Sequence, residues 1–251
     1  MQGPPEDTAD LLIDLLADQR SFYRTWAPEY DEWWQRRGRY DDGPEDTAEW
    51  DWQIQLVMHA VDTFGPVGDV LELAGGTGWW SQHLARTART LTVLDSSSEA
   101  LRLNRQRVSR PDVTYVVADV FEWSPEHGYD TVFFSFWLSH VPRRLFEDFW
   151  ELVSSCLRPG GRVFLIDNRR DLTRTTQDPY VIDEADDVQR RRLGDGSEHR
   201  VVKVFYEPDE LAEQLRRLGW IADLAGTSRL IYGSATPGSA ASRAKTLKRQ
   251  R

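Results

Sequence analysis

From Asp69 onward, short apolar runs alternate with stretches whose apolar residues recur every three or four positions. The runs are "DVLEL", "TLTVLD", "VTYVVAD", "YDTVFFSF" and "GRVFLID". Each is short and rich in branched and aromatic residues, so each reads as a buried strand. Helical patterns lie between them at Ser81–Arg86, Ser98–Arg107 and Leu145–Leu157. "RPGG" at 158–161 predicts a helix stop and a turn into the fifth strand. "EPDELAEQLRRLGW" predicts a late helix with Pro208 in its first turn and Gly219 at its end, and "WIADLA" and "RLIYG" predict two further strands. Such alternation builds βαβ units, giving an α/β fold with a doubly wound, seven-stranded, mostly parallel sheet covered on both faces.

Before Asp69 the pattern is helical throughout, in "DTADLLIDLLADQ", "RSFYRTWAPEYDEWWQRRGRY" and "EDTAEWDWQIQLVMHAVDTF". These segments are dense in rings: Tyr23, Trp26, Tyr30, Trp33, Trp34, Tyr40, Trp50 and Trp52. So many aromatics among charged residues suggest an N-terminal helical lid over 1–66 that presents some rings to a ligand and packs the rest. The core domain then spans 67–234. It carries an insertion at about 168–205 whose "VQRRRL" and "HRVVKVFY" form a hairpin through "GDGSE". Residues 235–251 read as a disordered basic tail rich in Gly, Ser and Ala.

A chain of 251 residues, 40% hydrophobic and 29% charged, suits one α/β domain with an accessory cap. The formal net charge is −10, and five basic residues crowd into the last nine positions, so the body is more acidic still. An acidic body repels a phosphate backbone, which excludes nucleic acid as the expected partner. No run approaches the roughly 18 apolar residues of a membrane span, and the acidic start lacks a secretory pattern. The single cysteine, Cys156, falls in an apolar helix and is expected to be buried packing. These features predict a cytoplasmic protein without disulfides, a metal or a membrane partner, as a monomer or homodimer.

The candidate chemistry begins at "LELAGGTGWW", where a strand enters a glycine turn and then a helix. A dinucleotide fingerprint requires G-x-G-x-x-G. Gly76 and Gly78 fit its first two places, but Ser81 holds the third, and no P-loop Lys-Ser or Lys-Thr follows. Instead, acidic residues stand at three successive strand ends: Glu72, Asp95 and Asp119. Such ends converge on one crevice at the switch point of a doubly wound sheet. Carboxylates there suit a ligand with a ribose diol, an exocyclic amine and a cationic centre. S-adenosylmethionine is such a ligand.

The stretch from about Val70 to Asp167 resembles the class I S-adenosylmethionine-dependent methyltransferases of small-molecule type. The resemblance rests on "LELAGGTG", "LTVLDSSSEAL", "VVADVFEW", "YDTVFFSFWLSHVP" and "LRPGGRVFLID". It implies a Rossmann-like fold with S-adenosylmethionine as cofactor. Glu72 would sit by the methionine amino group, Gly76 and Gly78 would give the methionine end room, and Gly75 would belong to the same cofactor set. Asp95 would accept the ribose hydroxyls with Ser96 beside the adenine, and Asp119 and the Val120 amide would read the adenine edge. Ser135 would complete the cofactor set, and Tyr23 or Tyr30 would lie over the carboxylate end. Ala74–Gly75–Gly76 departs from the pattern, since many members carry a glycine or cysteine one place earlier.

Methyl transfer needs an aimed nucleophile, exclusion of water and, for some acceptors, removal of a proton. His140 is the candidate general base, because its ordinary pKa lies near neutrality. Asp167 is a second catalytic candidate, expected to bind an acceptor hydroxyl or amine. Phe136, Trp137 and Tyr180 are candidate pocket residues, with Trp79, Trp80 and Arg192 as secondary ones. Family members that methylate amide or nucleobase nitrogens carry Asn or Asp before Pro-Pro where this chain has Ser135–Phe136–Trp137. The expected acceptor is therefore the oxygen or nitrogen of a small, aromatic or biosynthetic-intermediate molecule. A quinone-type carbon methyltransferase and a non-catalytic S-adenosylmethionine-binding regulator are the alternatives.

Overall fold

The computed structural model describes residues 7–170, 181–185 and 187–238. Three helices come first: α1 (Asp7–Trp26), α2 (Tyr30–Trp34) and α3 (Pro44–Phe64). α1 runs unbroken through the point where two separate patterns were read. Pro44 opens α3 at its first turn, and Gly65, in the left-handed region, ends it.

The core continues β1 (Gly68–Leu73), α4 (Ser81–Leu84), β2 (Ala88–Asp95), α5 (Ser98–Val108), β3 (Thr114–Val117) and β4 (Tyr129–Ser135). It then runs α6 (Phe146–Cys156), β5 (Leu157–Asn168), β6 (Val181–Ala185), β7 (Val188–Arg192) and β8 (Glu198–Val202). α7 (Pro208–Arg217), β9 (Trp220–Gly226) and β10 (Leu230–Pro237) close the described chain. Seven strands form one sheet in the order β3-β2-β1-β4-β5-β10-β9. The first five are parallel, and β10 pairs antiparallel with both β5 and β9. β1 and β4 are apolar on both faces apart from Asp69, Glu72, Asp130, Thr131 and Ser135 and the hydroxyl of Tyr129, as buried parallel strands require.

Four boundaries differ from expectation. "RPGG" lies within β5 as a bulge: Tyr129 pairs with Leu157, and pairing resumes at Thr131 with Arg162. α6 stops at Cys156 because Leu157 is already extended and paired with Tyr129. β3 ends at Val117, so Asp119 stands in the loop beyond it. At the C-terminal side, β10 continues to Pro237, three residues past the boundary read at 234.

The inserted hairpin is β7–β8, joined by β6 into a small antiparallel sheet. α1 is fastened to β8. Gln19 Oε1 accepts from the Val202 amide at 2.9 Å, and Asp18 accepts from the Arg200 amide at 2.9 Å. Most of the aromatic residues of the lid pack on each other and on Phe136: Phe22, Trp26, Trp33, Trp34 and Trp50 are all buried. Their indoles are satisfied internally, Trp26 by the Tyr40 hydroxyl and Trp50 by the Trp34 carbonyl, each at 2.9 Å. Cys156 is buried. No helix among the described residues is long and apolar enough to cross a membrane.

Candidate functional site

The strand order reverses between β1 and β4, and the crevice at their carboxyl ends is the expected ligand site of such a sheet. A cleft with about 1010 Å³ of empty space opens there. Its core-side wall is built from the 74–80 loop, Asp95–Ser97, Asp119–Phe121 and Ser135–Trp137. Its roof is built from α1 and α2, through Arg20, Tyr23, Trp26 and Tyr30 among others. Tyr23, Tyr30, Gly75, Gly76, Gly78, Asp95, Ser96, Asp119, Val120, Ser135, Phe136 and Trp137 therefore line one cavity. Glu72, His140 and Asp167 stand behind its wall, and Tyr180 lies outside the described residues. Arg192 is on the exposed surface, paired with Glu198.

The glycines of the loop have different jobs. A Cβ on Gly75 would come within 2.4 Å of Val93, and one on Gly78 within 2.7 Å of Asn104 Cγ, so these two let the protein pack on itself. A Cβ on Gly76 would meet nothing within 4 Å, but its φ of +53° still favours glycine. The room expected at both Gly76 and Gly78 is therefore found at Gly76.

Glu72 is only 1% exposed. Its Oε2 accepts from the Ser81 hydroxyl. Burial pushes its pKa up to about 8, with the Ser81 bond opposing and the nearby Asp95 charge adding to the rise. Asp95 accepts from the Gly76 amide at 2.9 Å and the Ser97 amide at 2.8 Å. Burial raises its pKa while the amides of Ser97, Gly76 and Ser96 pull the other way. Asp119 caps the turn after β3 by accepting from Phe121 N at 2.9 Å, and its other oxygen takes Arg20 at 2.8 Å. Asp95 and Asp119 thus reach the cleft, whereas Glu72 braces the loop from beneath.

His140 is 4% exposed and sits on a short 3-10 turn after β4. Its Nδ1 lies 2.7 Å from the Val202 carbonyl, which only a protonated Nδ1 can satisfy. Nε2 therefore carries the lone pair and accepts from the Tyr23 hydroxyl at 2.6 Å. Burial holds the imidazole pKa well below its ordinary value, and the charges of Lys203 and Arg191 lower it further. His140 does not reach the cavity; Tyr23 does, because α1 lies between them. Burial raises the Tyr23 and Tyr30 pKa values, so both phenols keep their protons at neutral pH.

Asp167, 1% exposed, accepts from the amides of Ser139 and Asn168 at 2.8 and 2.7 Å. It fixes the turn that carries His140 instead of facing an acceptor. Lys203 donates to the Ser139 hydroxyl at 2.9 Å and lies 3.9 Å from Asp167. Two buried cations, Arg191 and Lys203, are 3% and 5% exposed. The Arg191 guanidinium stands close enough to Tyr23 to oppose the rise that burial imposes on its phenol pKa. Sequence reasoning missed both. It also missed Asp31 of α2, which accepts from the Thr77 hydroxyl at 2.9 Å, from the Trp79 indole at 2.8 Å, and from Arg107. A detectable signal existed at Asn104, a polar residue at helical spacing from buried Ala100 and Leu101.

A family profile described as "Methyltransferase domain" matches residues 70–161. A solved structure described as "DhpI-SAM-HEP complex" is 35% identical with a TM-score of 0.72, covering 89% of this chain and 98% of that one. A second, "DhpI-SAH complex structure", is 33% identical with a TM-score of 0.71, covering 90% and 98%. Among curated proteins, the "Ubiquinone biosynthesis O-methyltransferase" of Xanthomonas euvesicatoria pv. vesicatoria (strain 85-10) is 30% identical over 170 residues. That match spans 65% of this chain and 66% of the relative.

Proposed function

Because the chain belongs to the class I S-adenosylmethionine-dependent methyltransferases, we propose that it methylates an oxygen or nitrogen of a small, negatively charged molecule held beneath the α1 lid. When bound, the cofactor supplies an electrophilic methyl group on a sulfonium. The residues fit it: Gly76 opens onto free space, and Asp95 and Asp119 present carboxylates at the nucleoside end.

The observation that carries the proposal is the Tyr23–His140 pair set beside buried Arg191 and Lys203. Neutral His140 holds the Tyr23 proton, so the Tyr23 oxygen is oriented at the cavity wall. Full transfer of a proton to His140 would create an imidazolium beside two existing cations, which the depressed pKa opposes. The site is thus a poor strong base and a good receptor for an acceptor that arrives ionised. Arg191 and Lys203 supply the attracting field, Tyr23, its proton committed to His140, forms the wall beside them, and the lid excludes water. Phe121, Phe136 and Trp137 offer flat apolar surface to the rest of the molecule.

The relatives' names point to small acceptors as well: a ubiquinone-biosynthesis O-methyltransferase and a complex with SAM and HEP. The test is a screen with isotopically labelled methyl donor in which each acid is paired with its neutral amide or ester. Label is expected in the acids. Transfer confined to the neutral partners would overturn the reading.

A further inference from the structure

We propose that Asn104 and Arg107, one turn apart on α5, are positioning residues that set the cofactor loop and couple it to the lid. Asn104 is completely buried. Its Nδ2 donates to the Gly75 and Gly76 carbonyls, each at 3.2 Å, and to the Ser81 hydroxyl at 2.7 Å. Arg107 takes the next carbonyl: Nη1 lies 2.6 Å from Thr77 O and 3.1 Å from Thr77 Oγ1. α5 therefore grips three consecutive carbonyls of the loop.

In a trans peptide, each carbonyl points opposite to the N–H that follows it. Holding Gly75 O and Gly76 O against α5 turns the Gly76 and Thr77 amides toward the other side. The Gly76 amide duly meets Asp95 at 2.9 Å. The Thr77 amide has no hydrogen-bond partner among the described residues, and Thr77 lines the cleft. A fixed, unpaired N–H on a cleft wall is a preset donor for an anionic group of the ligand, and the cofactor's carboxylate is one. The Asn104 Oδ1 atom, buried and without a conventional partner, faces Gly78: a Cβ built there would lie 2.9 Å from it.

Arg107 extends the clamp outward. Its other nitrogen binds the Asp31 carboxylate of α2, and its guanidinium lies 4.3 Å above the Trp79 ring. Asp31 follows Tyr30, which lines the roof, so loop geometry and lid placement share one guanidinium. The inference rests on S-adenosylmethionine as the cofactor and is independent of which acceptor is used.

The experiment is calorimetry of S-adenosylhomocysteine binding to the full chain, with unfolding midpoints recorded alongside. Asn104→Asp keeps the shape and removes both donors; it is expected to weaken binding ten-fold or more. Arg107→Gln and Asp31→Asn are each expected to weaken it three-fold or more, and the double variant by less than the product of the two. In steady state the KM for S-adenosylmethionine should rise more than kcat falls, while Arg107→Lys recovers part of the loss. A purely structural role would lower the midpoint without that split. Affinities within two-fold of wild type in Asn104→Asp and Arg107→Gln overturn the proposal; if Asn104→Asp does not fold, Arg107→Gln alone decides.

Discussion

The Tyr23 hydroxyl donates to His140 Nε2 across 2.6 Å, joining the lid to the turn that follows β4. The other ring nitrogen is anchored to Val202 of the inserted sheet. Tyr23→Phe removes the hydroxyl and leaves both the ring packing and the cofactor wall in place. It should lower kcat by about two- to ten-fold, the range of one neutral hydrogen bond of about 0.5–1.5 kcal/mol. S-adenosylhomocysteine affinity should change by less than three-fold. Steady-state kinetics beside calorimetry tests this, and full-rate turnover by Tyr23→Phe would remove the pair from the mechanism.

His140 titrates well below its ordinary range in the folded chain, so it stays neutral across neutral pH. A depressed folded pKa gives stability that is present above the unfolded value near 6.5 and lost as pH falls below it. His140→Gln should flatten the acid side of the stability profile between about pH 6.5 and 5. It should leave no histidine limb in kcat/KM between pH 7 and 8, because wild type has none there.

Glu72 has the opposite sign. Its folded pKa of about 8 exceeds the unfolded value, so its contribution is fully present below about pH 4.5 and lost as pH rises toward 8. Glu72→Gln keeps the neutral shape. Its unfolding midpoint should gain on wild type progressively from pH 5 to pH 8 and then level off. The slope is at most about 1.4 kcal/mol per pH unit. A constant difference across that window would mean that the carboxyl is ionised when folded.

Asp95 and Asp119 should differ in weight. Asp95 is gripped by two loop amides and faces the cleft, whereas Asp119 commits one oxygen to Arg20 and the other to Phe121 N. Asp95→Ala is expected to weaken S-adenosylhomocysteine binding about 100-fold and Asp119→Ala about ten-fold, from charged hydrogen bonds of about 1.5–3 kcal/mol each. Calorimetry giving the reverse order would reassign the nucleoside end.

Arg191→Met tests the receptor for charge. The acceptor KM should rise at least ten-fold for an anionic acceptor, while cofactor affinity holds. Equal kinetics on acid and amide in wild type and variant alike would strip Arg191 of that role.

Much of this was legible in the chain. The alternation after Asp69 marked the parallel strands, and Asp95 was readable because it closes the second of them, in line with the acidic residues read at the ends of the first and third. The hairpin after β5 was readable from its turn residues. Bulged "RPGG" was not, since proline and glycine signal a break without saying whether pairing resumes beyond it. His140 was found from its place after β4, but its withdrawal behind Tyr23 depends on α1, whose contact with it lies 117 positions away in sequence. Asp31 and Arg107, 76 positions apart, are each an ordinary charged residue on a helix until the fold brings them together. Arg191 and Lys203 fall within the hairpin segments "VQRRRL" and "HRVVKVFY", and nothing in the chain marks them until burial sets them beside Tyr23 and His140.

The lid helix is tied to the small inserted sheet by contacts 182 positions apart in the chain. The acceptor pocket we propose is thus framed by two distant segments that pack as one unit on the nucleoside-binding scaffold. Grafting a new specificity onto this protein would need both segments to be exchanged as a matched set; either one alone would leave His140 without its Val202 anchor or α1 without its seat.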